Sequence, residues 1–530
     1  MPDKEVDQKT VSIPAVHQAW KLYGKGIDHL GRSGAPEEQP LPSYGPDELL
    51  IRHDAVGICL TDVKEINYGN DHPLFAGRNL EQEPVVPGHE ASITIVAVGE
   101  NLKGQYRVNQ RFTLQPDVKY KGVGVPYGFR MDGAFRQYGV IGKEVLSGDE
   151  GSYLIPVPDG FTYAEAALTE PWACVEASYR TAYRSSLKPG GSVWMLAGSP
   201  CREGYQVKDL WDASAAPARL VLSNIQGPLA DDLQKLCTAQ GIQVERADAP
   251  GILASDQAFD DIFVLDEKSE IVRSVAQHLA KGGVLAILSA PAAGQKIEVD
   301  AGRLHYDNIL YVGSNSLRLK DAYAQTPVRT ELKSQGIAWI LGAGGAMGRM
   351  HVQRAIQGAA NPKVLLATDI SPARLKDLED SFSGLAKKRH IDLVVKNPAD
   401  DAKDFEQFIQ QVVDQGGFDN ITVMVPSAEA FAGVEQWMAK GGMINLFSGL
   451  KRGTPAAIEQ DALCGPRQVR LIGHSGSGLH DQMDVVEKIK EQRLDPLRSV
   501  AAVCGFNQIP DAIQAAIKGS FAGKIVMFPT

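Results

Sequence analysis

Three short segments in the first third of the chain carry the side chains that bind transition metals. Cys59 lies in Gly57-Ile58-Cys59-Leu60-Thr61-Asp62, His89 and Glu90 in Pro87-Gly88-His89-Glu90, and Glu170 and Cys174 in Thr169-Glu170-Pro171-Trp172-Ala173-Cys174. Thiolate, imidazole and carboxylate are a zinc ligand set, and a catalytic zinc keeps three protein ligands plus an open or water-filled position. Such an ion acts as a Lewis acid on a substrate oxygen. Taken singly, each side chain has a plainer reading. A lone cysteine is usually a small core hydrophobe, a lone histidine a satisfied interior or surface residue, and a glutamate before proline a helix-start acid favoured by the dipole.

A second chemistry-bearing stretch runs from Gly336 to Val352. The apolar run Ile337 to Leu341 has strand length. The turn Gly342-Ala343-Gly344-Gly345-Ala346-Met347-Gly348 follows, and then Val352, Ala355, Ile356 and Ala359 fall at helix-face spacing. Strand, glycine turn and helix bring a pyrophosphate onto helix-start N–H groups. The glycine spacing is GxGxxxG rather than the usual GxGxxG. The next strand, Val364 to Thr368, ends in Asp369, 21 residues after Gly348. An acid there accepts hydrogen bonds from an adenosine ribose and repels a 2′-phosphate, which favours NAD over NADP.

These motifs need elements to hold them. The chain has 530 residues, enough for two to four domains. A hydrophobic share of 44% and a charged share of 22% are globular values, and a net charge of -10 argues against a nucleic-acid partner. No run approaches a membrane span, and Met1 to Val11 lacks the apolar core of a signal peptide. The six cysteines include no CxxC pair, as expected for free thiols in a reducing cytoplasm.

From about Ala15 to Lys188 the reading is β-rich, with alternation over Asp47 to Val56 and a strand over Ala91 to Val98, as in a small irregular barrel. Thr162 to Tyr183 reads as helical. Next comes a repeat. Phe259-Asp260-Asp261-Ile262 matches Phe418-Asp419-Asn420-Ile421, and Ala280-Lys281-Gly282-Gly283 matches Ala439-Lys440-Gly441-Gly442, both at an offset of 159 residues. Trp194 matches Trp339 and Asn224 matches Asp369 at an offset of 145, and Tyr311 to Ser314 resembles Leu471 to His474. Each copy alternates strands and helices as a doubly wound sheet does. Copy one has Ala197-Gly198-Ser199-Pro200 in place of the glycine turn and Asn224 in place of Asp369. Proline supplies no N–H to a phosphate, so copy one is expected to be structural and to bind no dinucleotide. The strand Gly523 to Met527 is expected to return to the first domain.

In combination GICLTD, PGHE and TEPWACV look like the three zinc-site motifs of one family. The chain resembles the zinc-dependent medium-chain alcohol and polyol dehydrogenases, especially the sorbitol and threonine dehydrogenase branch, over about residues 15–188 and again from Gly336 onward. The resemblance implies an α/β plus β fold. A GroES-like, β-rich catalytic domain (1–188, completed by about 486–530) precedes two tandem doubly wound, Rossmann-like parallel-sheet domains. One is degenerate (189–334) and one binds NAD (335–485).

Carried over to this chain, the resemblance implies zinc ligands Cys59, His89, Glu90 and Glu170. Glu170 ligates the ion or holds its water, Glu90 enters and leaves the shell, and Cys174 is a substitute. Cys59, Thr61, His89 and Glu90 form the catalytic set. Thr61 relays the substrate proton, and Asp62 orients the histidine. Gly342, Gly344, Gly345, Met347, Gly348, Asp369, Arg374 and Ser475 contact NAD.

The region Arg107 to Gly139 lacks the cysteines of a structural zinc, so one zinc is expected. The implied reaction is hydride transfer between NAD(H) and a secondary alcohol or ketone: a polyol, sugar, sugar acid or sugar phosphate. Arg130 and Arg136 are placed to meet an anionic group or are ordinary surface arginines. The rival readings are a zinc-free NAD(P)H reductase on the same fold and a non-catalytic NAD sensor. Pairing Ile309–Val312 with Val469–Ile472 inside one chain would make a monomer with an internal pseudo-dimer. The alternative is a homo-oligomer.

Overall fold

The computed structural model describes residues 13–199, 201–211, 214–247, 257–266, 269–292, 294–400 and 402–530. Met1 to Val11 and Pro200, read above from sequence, lie outside them. The chain divides into two compact units, Met1–Cys174 with Ser477–Thr530, and Val175–Gly476.

The first unit is built on a seven-stranded sheet in the order Val500–Gly505, Lys524–Phe528, Leu49–Ile58, Glu90–Val98, Arg111–Leu114 and Leu154–Pro156, with Tyr138–Ile141 also pairing Leu49–Ile58. The alternation expected around residues 47–56 is not how that strand is used. Leu49–Ile58 is buried at every position but Arg52, and two bulges, at Leu50/Ile51 and His53/Ala55, shift its register. A strand paired by three others sits inside its unit, so both faces are covered. Trp20, Ile51, Val56, Ile93, Phe135 and Met527 share its core. The chain re-enters this unit at Ser477, ahead of residue 486. Gln482, on helix Leu479–Lys490, then donates to the hydroxyls of Thr113 and Thr169, each at 3.0 Å.

The second unit holds one twelve-stranded sheet. In chain order its strands are β1 (Ser192–Ala197), β2 (Arg219–Ser223), β3 (Gln243–Arg246), β4 (Phe259–Leu265), β5 (Leu279–Leu288), β6 (Leu310–Ser314), β7 (Ile337–Leu341), β8 (Val364–Thr368), β9 (Asp392–Lys396), β10 (Phe418–Val423), β11 (Met438–Leu446) and β12 (Arg470–Gly473). Their order across the sheet is β3-β2-β1-β4-β5-β6-β12-β11-β10-β7-β8-β9. Pairing is parallel within each half and antiparallel only where β6 meets β12. The order reverses at β1/β4 and again at β7/β10, the places where doubly wound sheets open a ligand crevice.

The two halves repeat each other contact by contact. Trp194 Nε1 donates to Ser223 Oγ (3.0 Å), and Trp339 Nε1 to Thr368 Oγ1 (2.8 Å). Each indole lies 5.3 Å from a phenylalanine ring, Phe259 or Phe418. Asp260 Oδ2 accepts from Ser192 N and Asp419 Oδ2 from Ile337 N, both at 2.9 Å. The same bulge interrupts β4/β5 at Phe259/Asp261 and β10/β11 at Phe418/Asn420. The two Ala-Lys-Gly-Gly segments lie within β5 and β11 beside it, with Gly282 and Gly441 at φ +71° and +68°.

The seam between the halves is symmetric. Tyr311 pairs with Leu471. Strand Lys296–Asp300 pairs antiparallel with Pro455–Glu459, centred on Glu298 and Ala457, which are 159 residues apart. A Cβ on Gly313 would fall 2.8 Å from the backbone of Leu463, and one on Gly473 would fall 2.5 Å from that of Leu304. Like residues meeting like across an axis is the pattern of an isologous interface.

Candidate functional site

In the first unit, Cys59 precedes helix Leu60–Tyr68, and its N–H donates to Asp62 Oδ2 (2.8 Å). A helix start favours an anion, as a ligating sulfur is. Gly88, at φ +92°, turns the chain before His89; a Cβ there would fall 2.5 Å from the Phe135 ring. Glu90 then opens its strand fully buried. These turns bring one ligand atom each of Cys59, His89 and Glu90 within 4.8 Å of one another. Asp62 Oδ1 lies 3.0 Å from His89 Nδ1, which leaves Nε2 for another partner. Burial works against a charge on His89, but Asp62 and Cys59 outweigh it and its pKa is raised well above the ordinary value. Donor chemistry and spacing both fit a zinc ion.

Glu170 stands beside this group rather than within it. Burial lifts its carboxyl to about 7, with His89 opposing and Glu90 adding to the rise. The Cys174 thiol donates to Glu170 Oε1 at 3.5 Å, and burial, then Glu170, raise its pKa. Thr61 is half-buried in the first helical turn after Cys59. The long segment between Cys59 and His89 contributes His72, whose ring lies 5.5 Å from Phe129. Phe129 is in turn 6.3 Å from the His89 ring, so an aromatic wall flanks the group. Arg130 is exposed and donates to Ala76 O, and Arg136 pairs with Asp132; both are accounted for locally.

Sequence reasoning missed two charged residues here. Lys524, 3% exposed, donates its ammonium to Glu90 Oε1. Glu65, one turn beyond Asp62, is fully buried with neither oxygen hydrogen-bonded; burial, then Asp62, raise its pKa. The available signals were a lysine heading the apolar strand Lys524–Phe528 and a glutamate between Val63 and Ile66.

In the second unit, β7 runs into the glycine turn and helix Ala346–Gln357, with Gly345 as N-cap and Met347 in the first turn. The glycines divide the work. Gly342 takes φ +85°. A Cβ on Gly344 would fall 2.7 Å from Arg374 Cβ and 2.9 Å from Asp369 Cγ, and one on Gly348 would fall 2.2 Å from Gly342 O. Asp369, at the end of β8, accepts from Gly344 N and Ser371 N, both at 3.0 Å. Arg374 lies in the first turn of helix Pro372–Lys388, and Ser475 follows β12, half-buried. The expected cofactor residues of β7 and β8 thus meet around one turn.

The equivalent place in copy one is built differently. Among the described residues no helix joins β1 to β2. Arg202 instead reaches over the ends of β1 and β4: its Nε donates to Asp266 Oδ1 (2.8 Å) and its Nη2 to the Tyr205 hydroxyl (2.7 Å). Asn224 donates to Ala197 O at 2.7 Å.

The chain is similar to known proteins in sequence and in fold. Residues 45–148 match the alcohol dehydrogenase GroES-like domain. The chain is 28% identical over 300 residues to mannitol-1-phosphate 5-dehydrogenase of Aliivibrio fischeri, covering 52% of this chain and 70% of that protein. It is 25% identical to L-sorbose 1-phosphate reductase of Klebsiella pneumoniae, covering 60% and 80%. In fold it is similar to 2R,3R-butanediol dehydrogenase from Bacillus subtilis, with a TM-score of 0.54, 16% identity, and 97% and 100% of the two chains covered. Residues 45–148 are thus similar to the GroES-like domain of the alcohol dehydrogenases, and the chain is similar in sequence to polyol and sugar-phosphate dehydrogenases.

Proposed function

We propose that the chain is a zinc-dependent, NAD-linked oxidoreductase that interconverts a secondary alcohol and a ketone, with a polyol, sugar, sugar acid or sugar phosphate as substrate. The convergence of Cys59, His89 and Glu90 carries this reading. Cys59, His89 and either Glu90 or Glu170 would hold one zinc. Bound there, zinc supplies the Lewis acidity that lowers the pKa of an alcohol hydroxyl or polarises a carbonyl. Asp62 fixes the tautomer and direction of His89. Glu170, whose carboxyl burial lifts to about 7, would hold the ion or its water, and Thr61 would relay the substrate proton.

In the second unit the N–H groups after Gly344 would take the pyrophosphate of NAD. Asp369 would take the ribose hydroxyls, with Arg374 and Ser475 beside the cofactor. The sugar-phosphate and polyol relatives support the substrate class. Six free cysteines support a cytoplasmic setting, and among the described residues no helix is long and apolar enough to cross a membrane.

The test is NADH formation at 340 nm over a panel of polyols and sugar phosphates, with and without a chelator. Cys59→Ser and His89→Ala should abolish turnover while NAD still binds, with one zinc per chain by metal analysis. Full activity in the metal-free double variant would overturn the reading.

The architecture has a matching proposal. The catalytic region (1–188 and the C-terminal return), a first Rossmann-like copy (189–334) and an NAD-binding copy (335–485) arose by duplication of the cofactor domain. Copy one stands where a second subunit would stand. The repeated contacts, the symmetric seam and relatives that match only about half of this chain support it. Calorimetry should find one NAD site per chain; two tight sites would overturn it.

A further inference from the structure

Lys524, Gly57 and Glu90 lie on three neighbouring strands of the first unit. Gly57 is paired with Val526 on one side and with Glu90 on the other, and Lys524 heads the strand that carries Val526. The central position is bare for a reason: a Cβ on Gly57 would fall 1.9 Å from Glu90 Oε2. Only a glycine lets the carboxylate lie across the middle strand and reach the ammonium. Glu90 Oε1 takes the Lys524 ammonium, while Oε2 is buried with no hydrogen-bond partner. The same side chain supplies the carboxylate of the group with Cys59 and His89.

A buried carboxylate oxygen without a partner is unfavourable unless a charge meets it. The Glu90 carboxylate therefore lies between two cationic positions, the ammonium that is present and the ion that the three ligand atoms suit. We propose that Lys524 is a positioning residue: it draws Glu90 by one oxygen and thereby restrains it from closing on the ion, which keeps a coordination position open for the substrate oxygen. This rests on the zinc reading above. Two cations compete for one carboxylate, so removing the ammonium leaves Glu90 to the ion alone.

The experiment loads the full chain with Co2+, a visible probe for a spectroscopically silent zinc site, and follows its absorption bands and its loss to EDTA. Lys524→Met is expected to shift the bands and to slow Co2+ loss at least tenfold, with Lys524→Arg close to wild type. In a Glu90→Gln background Lys524→Met should change neither bands nor retention; that double variant removes both buried charges together and so leaves neither unpaired. Gly57→Ala, which pushes the carboxylate off its track, should reproduce the shift. Identical bands and retention in wild type and Lys524→Met overturn the proposal, as does an effect of Lys524→Met that persists without Glu90. A wild-type chain that takes up no Co2+ overturns the zinc reading itself.

Discussion

The two halves of the large sheet share strand order, an indole-to-hydroxyl bond, a bulge and a seam, yet differ at the one place where a doubly wound sheet binds its ligand. Beyond β7 the chain makes a glycine turn and a helix, and Asp369 accepts an N–H from that turn. Between β1 and β2 there is no helix among the described residues, Arg202 pairs with Asp266 past the ends of β1 and β4, and Asn224 donates to Ala197 O. The frame is kept by contacts within the sheet, which do not depend on a ligand. The glycine turn stands in one half alone, and in the other Arg202, Tyr205 and Asp266 bond to one another past the strand ends. A fold and its site are thus separable in a single chain.

The sharpest way to break this comparison is to treat the two turns alike. Gly344→Val would drive a side chain into Arg374 and Asp369. We expect NAD affinity to fall by about 100-fold or more, about 2.7 kcal/mol. Ser199→Val, at the exposed counterpart in copy one, should leave NAD titrations unchanged. A loss of affinity from the Ser199 change would end the claim of one nucleotide site.

Next in size is the seam. Gly313→Val and Gly473→Val each force a side chain against the other half's backbone. Each should lower stability by about 1–3 kcal/mol in denaturant titrations. Effects differing by more than that range would show the seam is not symmetric in energy.

Asn224→Asp places a carboxylate against Ala197 O, an acceptor facing an acceptor. A loss of about 1–2 kcal/mol in stability, with no second NAD site gained, is expected.

The smallest effect is a slope. Burial raises the pKa of Asp261, against the opposing pull of Arg184 and Tyr323, whereas copy two has Asn420 there. A carboxyl with a higher pKa folded than unfolded binds its proton more tightly in the folded chain. Its contribution to stability is therefore lost as pH rises from 3.8 upward. Asp261→Asn should remove that part of the pH dependence in thermal unfolding between pH 4 and 7; an unchanged slope would show that Asp261 does not set it.

Much of this was legible in the residues. Phe259 and Phe418, and the paired Ala-Lys-Gly-Gly segments, announced the repeat because a backbone position at positive φ and a ring beneath an indole restrict residue type. Cys59 and His89 stood out because thiolate and imidazole are strong metal donors, and the fold brings them together with Glu90; Gly344 and Gly348 stood out because no Cβ fits there. The strand Leu49–Ile58 was misread as alternating, since its burial on both faces comes from partners far along the chain. Lys524 was missed for the same reason: 434 residues separate it from Glu90.

The sequence by itself determined the glycine turn, the acid at the end of β8 and the repeated segments around Trp194 and Trp339. All of these rest on local sterics and on the chemistry of single side chains. Only the tertiary structure decided that Glu90 reaches Lys524 across Gly57, that β6 pairs with β12, and that Arg202 pairs with Asp266 and Tyr205. Those outcomes depend on strand register and long-range packing, which bring together groups that no local spacing relates.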